Sequence, residues 1–210
     1  MITLGLTGSI GMGKSAAAVA LKRLGVPVHD ADACVHRLLG RGGAAVDPIG
    51  ALFPAALRDG LIDRGILGSL VFGKQEELAR LEAVLHPLVR QATRSFLKCQ
   101  QRHRRALVAL DIPLLFETGG EALCDFVIVV TAPRFVQEGR VFSRPGMSPE
   151  RLEQIRARQI GELEKRRRAD FVVSTGLSKG HTYRRLATIV SQVKRPQVYY
   201  PPQFYHPMSL

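Results

Sequence analysis

Residues 8–15, Gly8-Ser9-Ile10-Gly11-Met12-Gly13-Lys14-Ser15, complete the pattern GxxxxGK[ST] directly after the apolar run Ile2-Thr3-Leu4-Gly5-Leu6-Thr7. Glycines let backbone N–H groups turn inward around phosphate oxygens, the lysine reaches the β- and γ-phosphates, and the hydroxyl ligates Mg²⁺. Average composition would give this octet in roughly 1% of chains of this length, so its context has to carry the assignment. Residues 16–24 are strong helix-forming sequence, and Gly25 stands where a C′ glycine would end the helix. The loop therefore lies between a strand and a helix N-terminus, as phosphate binding requires. A nucleoside triphosphate is the expected ligand.

Four further apolar runs read as strands: Val26-Pro27-Val28-His29-Asp30, Ala106-Leu107-Val108-Ala109-Leu110-Asp111, Phe126-Val127-Ile128-Val129-Val130 and Phe171-Val172-Val173-Ser174. All are continuous, which implies strands buried on both faces and a mainly parallel sheet covered by helices. More than seventy residues between the second and third runs carry no strong strand signal and read as a helical insertion. Within it, Leu78, Leu81, Val84 and Leu85 keep helical spacing, His86-Pro87 interrupts them, and Pro87 suits the first turn of a new helix. Residues 40–65 read as short helices joined by turns. Further on, two arginine-bearing helical arms meet at Arg144-Pro145-Gly146-Met147, the second starting at Ser148-Pro149. They suggest a mobile lid over phosphates, with a plain surface helix pair as the alternative.

Thirty basic against 18 acidic residues give a net charge of +12, so polyanions are the expected partners, either nucleic acid or a phosphorylated small molecule. The basic residues are spread over several stretches, many of which can be simple solvated faces. No run of about 18 apolar residues occurs, and strand and loop begin at once where a secretory signal would stand, so a cytoplasmic, membrane-free protein is expected. Cys34, Cys99 and Cys124 are odd in number and lack CxxC spacing. They read as small buried apolar residues rather than disulfide or zinc partners.

Ligands of open α/β sheets bind beyond the carboxyl ends of the strands. Asp30 and Asp32 follow the second run at a spacing of two, and would share a face if the extended conformation continued. Asp111 ends a strand in the manner of the Mg²⁺-holding aspartate of P-loop enzymes. Each could instead be a helix cap or turn residue. Phosphoryl transfer needs a metal, cations on the equatorial oxygens and a carboxylate to orient the attacking hydroxyl, and Lys14, Ser15, Asp32, Asp111, Arg140 and Arg144 could supply these. A lid and a helical insertion favour a small-molecule kinase over an ATPase or GTPase, because such a kinase must exclude water. No NKxD-type guanine-reading motif follows a strand. The expected fold is α/β, a doubly wound parallel sheet of the P-loop kinase type with an inserted helical subdomain and a helical lid.

From residue 2 to about residue 176 the chain resembles the dephospho-CoA kinase family. The resemblance rests on the phosphate loop, on Val28-His29-Asp30-Ala31-Asp32 with His36, on Leu85-His86-Pro87 and on Asp111-Ile112-Pro113-Leu114-Leu115-Phe116-Glu117. It extends through Gln137, Arg140, Arg144, Gln159, Lys165-Arg166 and Ala169-Asp170. It implies transfer of phosphate from ATP to the 3′-hydroxyl of the ribose of dephospho-CoA, giving CoA and ADP. It also implies a nucleotide-binding core over residues 1–32 and 105–195, a lid at about 134–160 within it, and a CoA-binding insert over 33–104. Residues 196–210, outside the shared region, are expected to form an extended tail. By position, Asp32 looks like the base, with Lys14 and the lid residue Arg140 as its catalytic companions. Gly11, Met12, Gly13, Lys14, Ser15 and Ala16 look like the ATP cradle, assisted by Arg144. The acceptor pocket would draw on Asp30, His86, Leu114, Leu115 and Phe116, and Mg²⁺ on Ser15 and Asp111. The role of His86 rests on the resemblance alone.

The chain departs from the family pattern at Met12, where Ser is commoner, at Ala16, where Thr is, and at Ser174-Thr175-Gly176, where Asn often follows the strand. Other readings remain: a kinase of the same architecture acting on a nucleotide or sugar acid, or a basic P-loop nucleic-acid-binding protein. The last lacks an aromatic platform, since there is no Trp and three of four Tyr lie in the tail. No specific nucleic acid is expected, and the state expected is a monomer or weak homo-oligomer.

Overall fold

The computed structural model describes residues 1–194; the tail expected over 196–210 lies outside the described residues. In chain order the first half comprises β1 (Ile2–Thr7), α1 (Lys14–Arg23), β2 (Val28–Asp30), α2 (Ala31–Leu39), α3 (Val46–Leu52), β3 (Leu57–Arg58), β4 (Leu61–Ile62), α4 (Arg64–Val71) and α5 (Gln75–Arg102). There follow β5 (Leu107–Asp111), β6 (Phe126–Thr131), α6 (Arg134–Phe142), α7 (Pro149–Ala157), α8 (Glu162–Arg167), β7 (Phe171–Ser174) and α9 (Lys179–Lys194).

The five continuous runs become one parallel sheet in the order β2-β5-β1-β6-β7. The chain first fills one side of β1, with β2 at the edge and β5 between them, and then builds outward on the other through β6 and β7, so the carboxyl end of β1 is the point where the winding reverses and a ligand crevice opens. Alternate side chains feed two layers. Leu4, Leu6, Ile128, Val130 and Val173 join Ala17, Ala18, Leu21, Leu186 and Ile189 of α1 and α9, while Val127 and Val129 face Leu115 and Phe116 on the opposite side. The alanines of α1 let its backbone lie close to the sheet, and burying Leu21 completely contributes roughly 1.5–3 kcal/mol. Gly25 (φ +75°) ends α1 as expected: its N–H reaches the Lys22 carbonyl, and that of Val26 reaches Leu21.

Residues between β2 and β5 form a separate small core of Leu39, Ile49, Phe53, Ile62, Leu67, Val71 and Leu81. Two features differ from the sequence reading. Residues 57–62 form an antiparallel hairpin rather than a turn between helices, with Asp59 and Gly60 both at positive φ, as a tight two-residue turn demands. Moreover, α5 runs unbroken through Pro87 for 28 residues. Proline in a helix interior costs about 3 kcal/mol, chiefly by removing a hydrogen bond and crowding the preceding turn. Here Ala83, which loses its partner, and Pro87 are both exposed, so water can take the freed carbonyl. Packing of α2, α3 and α4 along α5 holds the helix together.

Ser148 caps α7 through the Arg151 N–H, with Pro149 in its first turn, as the sequence indicates. All three cysteines are free, but Cys99 is exposed, contrary to expectation. No helix among the described residues is long and apolar enough to cross a membrane.

Candidate active site

The phosphate loop joins β1 to α1, and side chains from outside hold its backbone. Gln137 Nε2 donates to the Ile10 carbonyl (2.8 Å), Arg140 Nη1 to that of Gly11 (3.3 Å) and Thr175 Oγ1 to that of Met12 (2.7 Å). A trans peptide unit points its N–H opposite its carbonyl. Drawing these carbonyls outward therefore turns the N–H groups of Gly11 and Gly13 toward the interior of the loop. At Gly13 (φ +80°) a Cβ would lie 2.5 Å from Thr175 Oγ1, so only glycine fits there. Met12 is 2% exposed, and its Sδ accepts the Ala132 N–H at 3.0 Å. The Met that departs from the family pattern thus ties the loop to the end of β6.

Lys14 Nζ lies 2.7 Å from Asp111 Oδ1, and Asp111 is buried. Burial raises the carboxyl above its usual range; Lys14 opposes this by charge and hydrogen bond, and the nearby Asp30 and Asp32 charges add to the rise. Asp111 thus sits beneath Lys14 as its counter-ion rather than in the open cleft. Ser15 is exposed at the start of α1, and Ala16 beside it faces solvent.

Asp30 and Asp32 do not share a face. The extended conformation stops at Asp30, whose Oδ1 accepts the Ala33 N–H (2.9 Å) and caps α2. The unpaired N–H groups of a helix start make that the better use of its carboxylate. Asp32, one residue into the helix, is exposed.

A cavity of about 430 Å³ is lined by the phosphate loop together with Asp32, Leu114, Arg144, Arg158 and Gln159. A second of about 430 Å³ opens beside it between α2, α5 and residues 112–123, with Val35, Leu85, His86, Val89, Leu114 and Leu123 among its walls. Asp32, Pro113 and Leu114 belong to both. Glu82, His86 and Arg90 also border a third space of about 700 Å³ that reaches Arg158.

Of Leu114, Leu115 and Phe116, only Leu114 lines these cavities. Leu115 is fully buried, so close to β1 that a Cβ on Gly5 would lie 2.8 Å from its Cδ2. Phe116 is buried with the Arg168 guanidinium over its ring at 4.5 Å. Both are core residues, because the segment folds back across the sheet. Arg140 is likewise spent on the loop's flank, donating also to the Thr175 hydroxyl and carbonyl. Arg144 and Arg158 are the arginines that, with Lys14, line the phosphate cavity. From sequence, Arg158, Arg90, Arg94 and Thr175 were given no role in the site. Glu82, His86, Arg90 and Arg94 recur every four residues along one face of α5, and that ladder was the available signal.

Among the described residues no cluster of three or more His, Cys, Asp or Glu could hold a metal. The Ser15 hydroxyl and the neighbouring carboxylates are nevertheless hard oxygen donors suited to Mg²⁺, which takes few protein ligands and completes its shell with water and phosphate. The mutual repulsion of Asp30, Asp32 and Asp111 is what a cation would relieve.

Comparison with known proteins agrees with this geometry. The family described as dephospho-CoA kinase (CoaE) matches residues 2–179. The dephospho-CoA kinases of Paramagnetospirillum magneticum and Rhodospirillum rubrum are each 59% identical to the chain, over 79% and 83% of its length and 78% and 83% of theirs. A crystal structure from Thermus thermophilus, TT1252, superposes with a TM-score of 0.78 at 37% identity, covering 91% of this chain and 97% of that one. Dephospho-CoA kinase from Campylobacter jejuni gives 0.69 at 27% identity, covering 91% and 96%. With a phosphate loop at the sheet's switch point, a second cavity meeting it at Asp32, and a family match over nearly all of the described residues, the chain belongs to the dephospho-CoA kinase family.

Proposed function

We propose that the protein transfers the γ-phosphoryl group of ATP to the 3′-hydroxyl of the ribose of dephospho-CoA, giving CoA and ADP. The observation that carries this reading is that Asp32 is common to the phosphate cavity and the largely apolar cavity beside it. A donor in the first and an acceptor in the second meet at a single carboxylate. Asp32 there orients the acceptor hydroxyl and takes its proton as the new O–P bond forms. Lys14, with Asp111 behind it, and the inward N–H groups of the loop hold the β- and γ-phosphates. Arg144 and Arg158 offset the charge that spreads over the equatorial oxygens in the transition state. Arg140 acts by bracing the loop.

Mg²⁺ would be held by Ser15 and the phosphates of ATP, with Asp111 adding negative charge nearby. It would supply charge neutralisation across the β- and γ-oxygens. On the acceptor side, Leu85, Val89 and Leu114 offer apolar contact, while Arg90 and Arg94 offer charge to an acceptor that is itself a diphosphate. Residues 33–104 serve as the acceptor-binding insert and residues 134–160 as a lid that excludes water over the core of 1–32 and 105–195. A cytoplasmic enzyme, monomeric or weakly homo-oligomeric, fits this reading. Neither a nucleotide or sugar-acid kinase nor a nucleic-acid-binding role is favoured by a family match of this extent.

The test is ADP release by purified protein with Mg-ATP, comparing dephospho-CoA with nucleoside monophosphates and gluconate. Dephospho-CoA is expected to be the acceptor turned over; no turnover with it, or faster turnover with another, would sink the reading.

A further inference from the structure

Glu117 and Lys165 form a charged pair that takes no direct part in the transfer step. Lys165, on α8, is fully buried, and its Nζ lies 2.8 Å from Glu117 Oε1. The same oxygen accepts the Ile160 N–H at 2.8 Å. Glu117 Oε2 and the Lys165 ammonium are buried without a well-directed hydrogen bond, so charge rather than hydrogen-bond alignment holds the pair. Apolar residues of similar volume commonly replace a buried ion pair at no loss of stability. Stability alone therefore gives little reason for this one.

Its position suggests another use. Glu117 lies three residues beyond Leu114, in the segment that walls the acceptor cavity. Ile160 follows Arg158 and Gln159, which line the phosphate cavity. Gln159 Oε1 also accepts the Ile10 N–H of the loop at 3.3 Å. One carboxylate oxygen thus joins the acceptor wall, the junction between α7 and α8, and a cation fixed on α8.

We propose that the Glu117–Lys165 pair is a latch, made of two positioning residues, that sets Arg158 and Gln159 against the acceptor wall across the cleft. This rests on the reading of the cleft as a site of phosphoryl transfer. Misplacement of about 1 Å between reacting groups can cost about a hundredfold in rate, so a clamp of this kind acts on kcat.

Two double variants test it, both free of an unpaired buried charge: Glu117→Leu with Lys165→Met, and Glu117→Gln with Lys165→Met. The first removes the acceptor of the Ile160 N–H and the second keeps it. Expected for the first are a melting temperature equal to or above that of the unaltered protein, faster amide exchange at Ile160, and a kcat lower by about tenfold or more. The second should recover part of both exchange protection and kcat. A purely structural pair would move the melting temperature and leave kcat and KM alone.

Unchanged kcat and KM for both substrates in the first variant would overturn the latch, as would unchanged exchange at Ile160. Should the first variant fail to fold, the second carries the test: faster exchange with a severalfold lower kcat supports the latch, and unaltered values for both overturn it. Rates are taken with whichever acceptor the unaltered protein turns over. Failure with dephospho-CoA then counts against the proposed substrate, and unaltered kinetics in the variants count against the latch.

Discussion

In the sheet, β5 is buried at every position and β1 at all but its first, whereas α5, much longer, buries only Leu81 and Thr93 of its 28 residues. The phosphate loop grows from the first kind of structure, and the cavity proposed for the acceptor is walled by the second. The donor side is close-packed, and its loop carbonyls are held by Gln137, Arg140 and Thr175 before any ligand arrives. The acceptor side is a helix face with solvent along much of it, backed by a small core. Triphosphate recognition is thus built into a rigid frame. On the proposed reading, the larger acceptor meets walls that are less closely packed.

Substitutions can sharpen or break that contrast. The largest effect is expected where the two sides meet: Asp32→Asn should lower kcat by about 10²–10⁴ while ATP affinity stays within a few-fold, read by steady-state rates and ATP titration. Activity within a few-fold of the unaltered enzyme would make Asp32 structural and dissolve the meeting point. Next come matched cavities. Leu21→Ala in the sheet core should cost about 3 kcal/mol and Leu81→Ala in the insert nearer 2 kcal/mol, from denaturant midpoints. Equal costs would contradict a looser insert. Pro87→Ala should stabilise α5 by about 1 kcal/mol, seen as slower amide exchange in that helix.

The smallest effect concerns the seam between the regions. Burial lowers the pKa of His29 below 6.5, Arg37 adds to this and Asp30 opposes it. The unfolded chain therefore takes up a proton at a pH where the folded one does not. This contribution to stability is full above 6.5 and is lost as pH falls through the lowered value. His29→Gln should flatten the decline in melting temperature on that acid side.

Much of the donor half was legible, because a buried parallel strand shows itself as an unbroken apolar run and the phosphate loop has a fixed spacing. The insert was less so. Pro87 ordinarily signals a helix start, and only the exposure of Ala83 and the neighbouring helices explain why α5 passes through it. Asp59-Gly60 is a hairpin-turn pair, but the strands it joins are two residues each, too short to show alternation, so the segment reads as a turn between helices. In Leu114-Leu115-Phe116 nothing in residue type distinguishes the one that faces the cavity from the two that face the core; the backbone path decides. Asp30 and Asp32 look equivalent until the helix start assigns the first to a cap.

α5 is anchored to the sheet near its far end, where Thr93 Oγ1 meets His29 Nε2 at 3.1 Å and Phe96 lies against the His29 ring. At 1.5 Å per residue, His86 stands about 10 Å from that anchor and the N-terminus of the helix about 27 Å. With α2, α3 and α4 packed along it, the helix is the spine of a cantilever. A swing of about 3 Å at its outer end, taken as a rigid lever, reaches His86 as roughly 1 Å. On the proposed reading, a displacement at the outer end of the insert reaches the cavity wall at His86 reduced to roughly a third.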